Sequence, residues 1–391
     1  MLGTNSLYVL LLDLPFRGTD AMIYFAILGL PVILAFLSDR SRGCLSIGLF
    51  VAALLVPCLF AAVRDTSVGT DVMTYAYWTF YSAKNASLGL FLAEYSSLSA
   101  FGFNLLSWII AKLGTFEIYL GLIQAFTVFP ICCFAKKMYP DSSWAAVAVY
   151  MLLLFPISLN AMKQMIAVAL CVPAFIFIEK RKPLIFLSVV MASAILFHQT
   201  AVVALFYWPA VQSVRSIGGK AAFFGKAQGF AVFLAVALIF GSAFVFGNRL
   251  IMLFSSLKDS YSYQVNASGT RLNYSSLVLL CGTILIYLFN RRSRLNKAKS
   301  VGFESIFAII SIVGVLAMQL NIIADSLMRF SYYLISFFPL FGSELAKEDE
   351  GNIPFSALLL ICLLIAYFIQ TIVINGGNEV YPYTSILLGI N

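Results

Sequence analysis

The chain has 391 residues, of which 61% are hydrophobic and only 11% charged, with a formal net charge of +8. A soluble domain of ordinary composition carries about 25% charged residues, so the composition excludes a water-soluble fold and requires lipid as solvent. The positive charge lies in short clusters at the ends of apolar runs, the pattern that orients membrane helices, and does not point to nucleic acid.

No stretch between apolar runs is long enough to build a water-facing core, so residues 1–391 read as a single multi-pass membrane domain. The first apolar run, Leu7 to Leu12, is short, has no basic region before it and ends at Asp13, unlike a cleavable signal peptide. The seven cysteines show no metal-ligand spacing and read as packing residues.

A helix needs about 20 residues to cross the hydrocarbon core. Candidate spans run 22–37, 44–62, 116–135, 142–158, 162–178, 183–197, 200–214, 228–247, 275–290, 302–320, 330–346 and 354–374, with a weaker one at 98–113. The fold class expected is an all-α polytopic integral membrane protein with about 12–14 transmembrane helices, one segment re-entrant, and a cavity on the face opposite the basic loops.

Lys and Arg accumulate in cytoplasmic loops. That rule places SDRSR (38–42), AKK (135–137), EKRK (179–182), the Arg215 to Lys226 loop, RRSRLNKAK (291–299) and the Lys347 loop inside. The loops about 63–97 and 248–274, the turns at Leu159 to Lys163, His198 and Asn321 to Arg329, and the C-terminus then lie outside. One step fails to close, because two crossings between 63–95 and AKK would put AKK outside. Either 98–113 is re-entrant or part of 71–93 dips into the bilayer and replaces a crossing. Irregular polar backbone at membrane depth is tolerated where it lines a protein cavity, so either solution points to a site.

The outer face collects the unusual polar residues. In RDTSVGTDVMTYAYW (64–78), Val68 to Asp71 read as a turn into a helix with Asp71 near its N-terminus. The bland reading is a capped surface loop; the functional one has Arg64 gripping an anion while Asp65 and Asp71 hold sugar hydroxyls or accept a proton. Thr70 and Tyr75 in the same stretch are candidate substrate contacts, as are Asn160, Gln164 and Tyr333. Lys163, in Asn160-Ala161-Met162-Lys163-Gln164, either snorkels to the interface or binds an anion. His198 is the single histidine, and such a residue is structural more often than catalytic. Asp325 and Arg329, four apart, could pair on one helical face, or Arg329 could hold a phosphate bidentately. The 248–274 loop adds Arg249 and Arg271 among tyrosines and amides, a mixture suited to sugars.

Taken in order, RDTSVGTD (64–71), NAMKQMIA (160–167), RKPLIFLSVVMASAILFHQTAVV (181–203) and RFSYYL (329–334) resemble the EpsG-like branch of Wzy-type polysaccharide polymerases, over roughly residues 22 to 345. Lys163 departs from the arginine usual before the glutamine, replacing a bidentate fork by a point cation. The resemblance implies a bacterial inner-membrane glycosyltransferase that joins repeat units carried on undecaprenyl diphosphate at the periplasmic face. Donor and acceptor would both be lipid-linked glycans, and a flippase and a chain-length regulator would act in the same pathway.

Departing diphosphate gathers negative charge, which cations in a poorly solvated cavity stabilise. The candidates for that role are Arg64, Lys163, Arg249, Arg271 and Arg329. A base for the acceptor hydroxyl is sought among His198, Asp65, Asp71 and Asp325, with His198 first because its ordinary titration range fits neutral pH. No clear divalent site or other cofactor is expected. A flippase or exporter of lipid-linked glycan and an O-antigen-ligase-like transferase are the alternatives. A transporter would want cations along its path from both faces, whereas here the polar residues favour one.

Overall fold

The computed structural model describes residues 18–95, 100–211, 272–296, 304–322, 325–347 and 354–390. Almost every described residue is helical, as the composition requires: without water, only backbone groups bonded within their own segment can lie against lipid. Among the described residues, five helices are long and apolar enough to cross a membrane: α2 (Gly43–Val63), α6 (Phe116–Met138), α7 (Ser143–Asn160), α8 (Met162–Glu179) and α15 (Phe355–Ile374). The fold is that of an all-α polytopic membrane protein.

The other elements are α1 (Gly18–Arg40), α3 (Tyr77–Asn85), α4 (Leu88–Glu94), α5 (Phe101–Leu113), α9 (Pro183–Leu196), α10 (Gln199–Val211), α11 (Tyr274–Asn296), α12 (Glu304–Ala317), the broken helix α13 (325–335) and α14 (Phe338–Leu345). Of the expected spans, 228–247 lies outside the described residues.

Helix α7 is the hub, with 94% of its span buried, against 39% in α2 and 33% in α15. Peripheral helices present leucine and isoleucine to lipid, while α7 turns every side to protein. Its Pro156 lacks an amide hydrogen, and the wide π turn just before it, Tyr150–Leu154, absorbs the interruption. Glycines allow other close approaches. A β-carbon on Gly314 of α12 would stand 2.6 Å from the Ile335 amide nitrogen, so α12 and α13 touch backbone to backbone there.

One end of the bundle carries the described basic segments 38–42, 135–137 and 179–182. There Asp39, at the end of α1, accepts from Lys136 Nζ at 2.6 Å, Ser143 Oγ at 2.6 Å and the Trp144 amide at 2.8 Å. Ser142 and Ser343 exchange reciprocal bonds of 2.9 Å between the start of α7 and α14. These contacts gather the ends of α1, α6 and α14 and the start of α7.

The parity problem of residues 64–138 is settled by α5, which does not cross. Its N-terminal Gly102 lies against Leu196, the last residue of α9. Its C-terminus passes through Gly114 and Thr115 into α6, whose far end is at Lys136. Both ends of α5 are therefore at the end of the bundle remote from Lys136. Its 13 residues span about 20 Å, short of a bilayer core. Residues 72–95 and 100–113 form a cap of short helices, pinned by the Trp108 Nε1 bond to the Ala86 carbonyl (3.2 Å), the Ser107–Tyr119 hydroxyl pair (3.0 Å) and a cluster of Tyr77, Phe80 and Phe116 rings. The path then crosses in α2, returns in α6, and alternates through α7, α8 and α9.

Candidate functional site

The site lies at the end opposite the Lys136–Asp39 cluster and begins where α2 stops. Arg64 follows the last residue of α2 and is buried at 6% exposure. Its Nη1 donates to the Leu159 carbonyl at 2.9 Å and its Nη2 lies 3.6 Å from Met162 Sδ, so the guanidinium bridges the break between α7 and α8. Its Nε has no partner among the described residues. Burial pulls the guanidinium down to about 9, against the opposing influence of Tyr383 and Asp71, and it is still a cation at neutral pH.

Val68 to Asp71 do turn into a helix, and Gly69 is what lets the turn close. Its φ is +89°, and a β-carbon there would stand 2.8 Å from the Leu159 oxygen that receives Arg64. The Asp71 amide then donates to Asn160 Oδ1 at 3.1 Å. Burial raises the Asp71 carboxyl above its ordinary range, while Arg329, Lys163 and Arg64, in that order, pull it back. Those three cations from three separate elements thus share one field around a single carboxylate. Among the described residues none makes a direct ion pair with it.

Lys163, in the first turn of α8, is held between rings, with its Nζ 5.3 Å from the Tyr75 centroid and 5.1 Å from that of Phe103. The rings fix a point charge that has no fork of its own. One residue on, Gln164 Nε2 donates to the Arg329 carbonyl at 2.8 Å and to Thr200 Oγ1 at 3.2 Å, while its Oε1 is buried without a partner among the described residues. Thr200 Oγ1 also lies 2.7 Å from His198 Nδ1 and 3.1 Å from the Tyr333 hydroxyl. Tyr333 is locked in turn by Tyr207, whose hydroxyl donates to its carbonyl at 2.7 Å.

Arg64, Asp71, Asn160, Lys163, Gln164, His198, Arg329 and Tyr333 therefore belong to one connected end of the bundle, with Thr70 and Tyr75 exposed at its rim. Asp65 has a different occupation: its Oδ1 accepts from the Ile386 amide at 2.9 Å and ties down the C-terminal segment. Arg249 and Arg271 lie outside the described residues, as does the side chain of Asp325.

Two parts of the site escaped sequence reasoning. Thr200 joins histidine, glutamine and tyrosine, and its only signal is a hydroxyl two residues after the histidine. The segment 375–390 folds back over the site end: the Gly69 amide donates to the Glu379 carbonyl at 2.7 Å, the Asp65 amide to the Thr384 carbonyl at 3.1 Å, and the Tyr383 hydroxyl to the Phe60 carbonyl at 2.7 Å. Its glycines, single proline and tyrosines after an apolar helix mark a packed loop without saying where it packs. Among the described residues no three His, Cys, Asp or Glu side chains gather as metal ligands.

Comparison with curated proteins and with solved structures gives no match. Residues 47–385 match the EpsG family, a stretch that contains every described site residue. The chain belongs to the EpsG family, whose members are Wzy-like polymerases and glycosyltransferases for exopolysaccharide.

Proposed function

We propose that this protein polymerises oligosaccharide repeat units carried on undecaprenyl diphosphate, at the periplasmic face of a bacterial inner membrane. The observation that carries the reading is the charge balance at the site: Arg64, Lys163 and Arg329 all act electrostatically on one carboxylate, Asp71, and none pairs directly with it. Among the described side chains, three cations act on this one carboxylate, a balance that suits an anion such as a diphosphate.

The reaction needs little else. An acceptor sugar hydroxyl attacks the anomeric carbon of the donor glycan, and the lipid diphosphate leaves with the bonding electrons. Charge on the leaving oxygens grows through the transition state, so fixed cations stabilise that state more than the ground state. Arg64 suits this part because its backbone bond to Leu159 holds it in place before substrate arrives. Asn160, Gln164 and the exposed Thr70 and Tyr75 supply amides, a hydroxyl and a ring of the kinds that recognise sugars. Charge supports that orientation: the Lys136–Asp39 end carries the described basic segments 38–42, 135–137 and 179–182, and such segments favour the cytoplasm.

The test is complementation of a host lacking its own polymerase and making the cognate repeat unit. Polysaccharide ladders are compared for wild type, Arg64→Ala and Arg329→Ala at matched membrane levels. The reading expects ladders from wild type and single repeats from both variants. Single-repeat glycan in every sample would overturn it and favour transport or ligation.

A further inference from the structure

The hydrogen bonds around Thr200 decide which protons sit where. The Thr200 backbone amide, which can only donate, points at His198 Nδ1 at 3.4 Å, so that nitrogen must present a lone pair. Gln164 gives its amide nitrogen to the Arg329 carbonyl, which can only accept, so the orientation of that amide is settled as well. The same nitrogen donates to Thr200 Oγ1. Tyr333 is fully buried, and its hydroxyl reaches the same oxygen at 3.1 Å. With both lone pairs of Oγ1 taken, the Thr200 hydroxyl hydrogen goes to His198 Nδ1, 2.7 Å away. Every hydrogen in the chain from Gln164 to His198 then has an acceptor.

A neutral imidazole whose Nδ1 is an acceptor carries its hydrogen on Nε2. Nε2 therefore has no lone pair for a substrate proton, and protonating Nδ1 would set an N–H against the Thr200 N–H. Asp71 is differently placed. Its amide is anchored to Asn160, and among the described residues its carboxylate takes part in no hydrogen bond or ion pair.

Resting on the polymerase reading, we propose that His198 is a positioning residue that caps α10 and holds Thr200, Gln164 and the Arg329 backbone together, and that Asp71 is the base. In the step so assigned, the acceptor O–H bond breaks and its proton passes to the Asp71 carboxylate. The new oxygen–anomeric carbon bond forms, and the bond from that carbon to the diphosphate oxygen breaks, its electrons leaving with the lipid diphosphate. Arg329, Lys163 and Arg64, which act electrostatically on the same carboxylate, take the charge of the leaving group in this assignment.

Asparagine separates the two roles, because its side-chain oxygen caps a helix as well as any residue does but is not a base. At matched membrane levels His198→Asn should polymerise within about threefold of wild type, and His198→Ala about fivefold or more below it, the cost of a lost cap. Asp71→Asn should lose at least about 100-fold, the usual contribution of a general base. Equal inactivity of His198→Asn and Asp71→Asn overturns the proposal, as does an Asp71→Asn variant that retains wild-type polymer. An independent readout uses the presence of a single histidine: in protein labelled with ¹⁵N-histidine, Nδ1 should be unprotonated and Nε2 protonated at neutral pH, and a protonated Nδ1 overturns the assignment. Wild type that makes no polymer would instead refute the polymerase reading, while the nitrogen assignment would still be read by the spectrum.

Discussion

Replacing Gly69 by alanine tests whether the site depends on one close backbone approach. The residue has φ +89°, where a β-carbon costs about 1–2 kcal/mol. That β-carbon would also lie 2.8 Å from the Leu159 oxygen, and overpacking of this kind costs a further 1–3 kcal/mol, about. The oxygen cannot retreat freely, because it receives Arg64 Nη1 and ends the buried helix α7. The total is about 2–5 kcal/mol, concentrated at the corner that joins Arg64, Asp71 and Asn160. At 1.4 kcal/mol per decade, the closed corner should lose on the order of 10²-fold in population. Gly43→Ala is the matched control: its φ is also positive, at +61°, but nothing lies within 4 Å of the added carbon, and it sits at the opposite end of the bundle. Polysaccharide ladders and thermal unfolding of purified protein, at matched membrane levels, provide the assay. Gly69→Ala should lose polymer while Gly43→Ala keeps it. Indistinguishable ladders and melting points for the two variants would refute the reasoning.

Three further outcomes are expected. The Asp71 carboxyl is raised by burial, so the folded state holds its proton to higher pH than the unfolded chain; this group's contribution to stability falls as pH rises through that interval, while activity that needs the carboxylate appears. The acid limb of a pH–activity profile should therefore lie above the ordinary aspartate range, and Lys163→Met should move it higher still, since one of the cations holding the carboxyl down is gone; a limb unmoved by that substitution contradicts the assignment. Asp39→Ala strands Lys136, the Ser143 hydroxyl and the Trp144 amide around a carboxylate that was fully buried, and should cost about 3–5 kcal/mol, visible as a lower melting point and less protein in the membrane. Arg64→Lys retains charge but cannot span both Leu159 and Met162, and should leave polymer far below wild type with a smaller loss of stability than Arg64→Ala.

Much of this architecture is readable from residues alone. Apolar runs locate the long helices, and Arg and Lys separate the two ends, because both signals are local. The missing crossing is legible as an arithmetic failure between residue 63 and AKK, but its solution is not. That α5 stays at one end depends on Gly102 meeting Leu196 and on Trp108 reaching Ala86, contacts between segments that pattern reading treats one at a time. Charge and motif order single out Arg64, Asp71, Lys163 and Arg329, because cations near the membrane are costly enough to stand out. Thr200 is ordinary in composition and gains its place only through Gln164 and Tyr333, 36 and 133 residues away. The placement of Asp65 is instructive too. Asp65 has the same chemistry as Asp71 six residues earlier, yet its oxygen holds the Ile386 amide. Which of two nearby carboxylates remains available is decided by a segment more than 300 residues further on.

The most direct test of the polymerase account is reconstitution of purified protein in liposomes with a lipid-diphosphate-linked oligosaccharide as the sole substrate. Glycan length and released lipid diphosphate are followed together. The account predicts that longer glycan and free lipid diphosphate appear in step for wild type, and that neither appears for Arg64→Ala. Glycan that crosses the bilayer with its length and its lipid linkage unchanged would contradict it and make the chain a transporter.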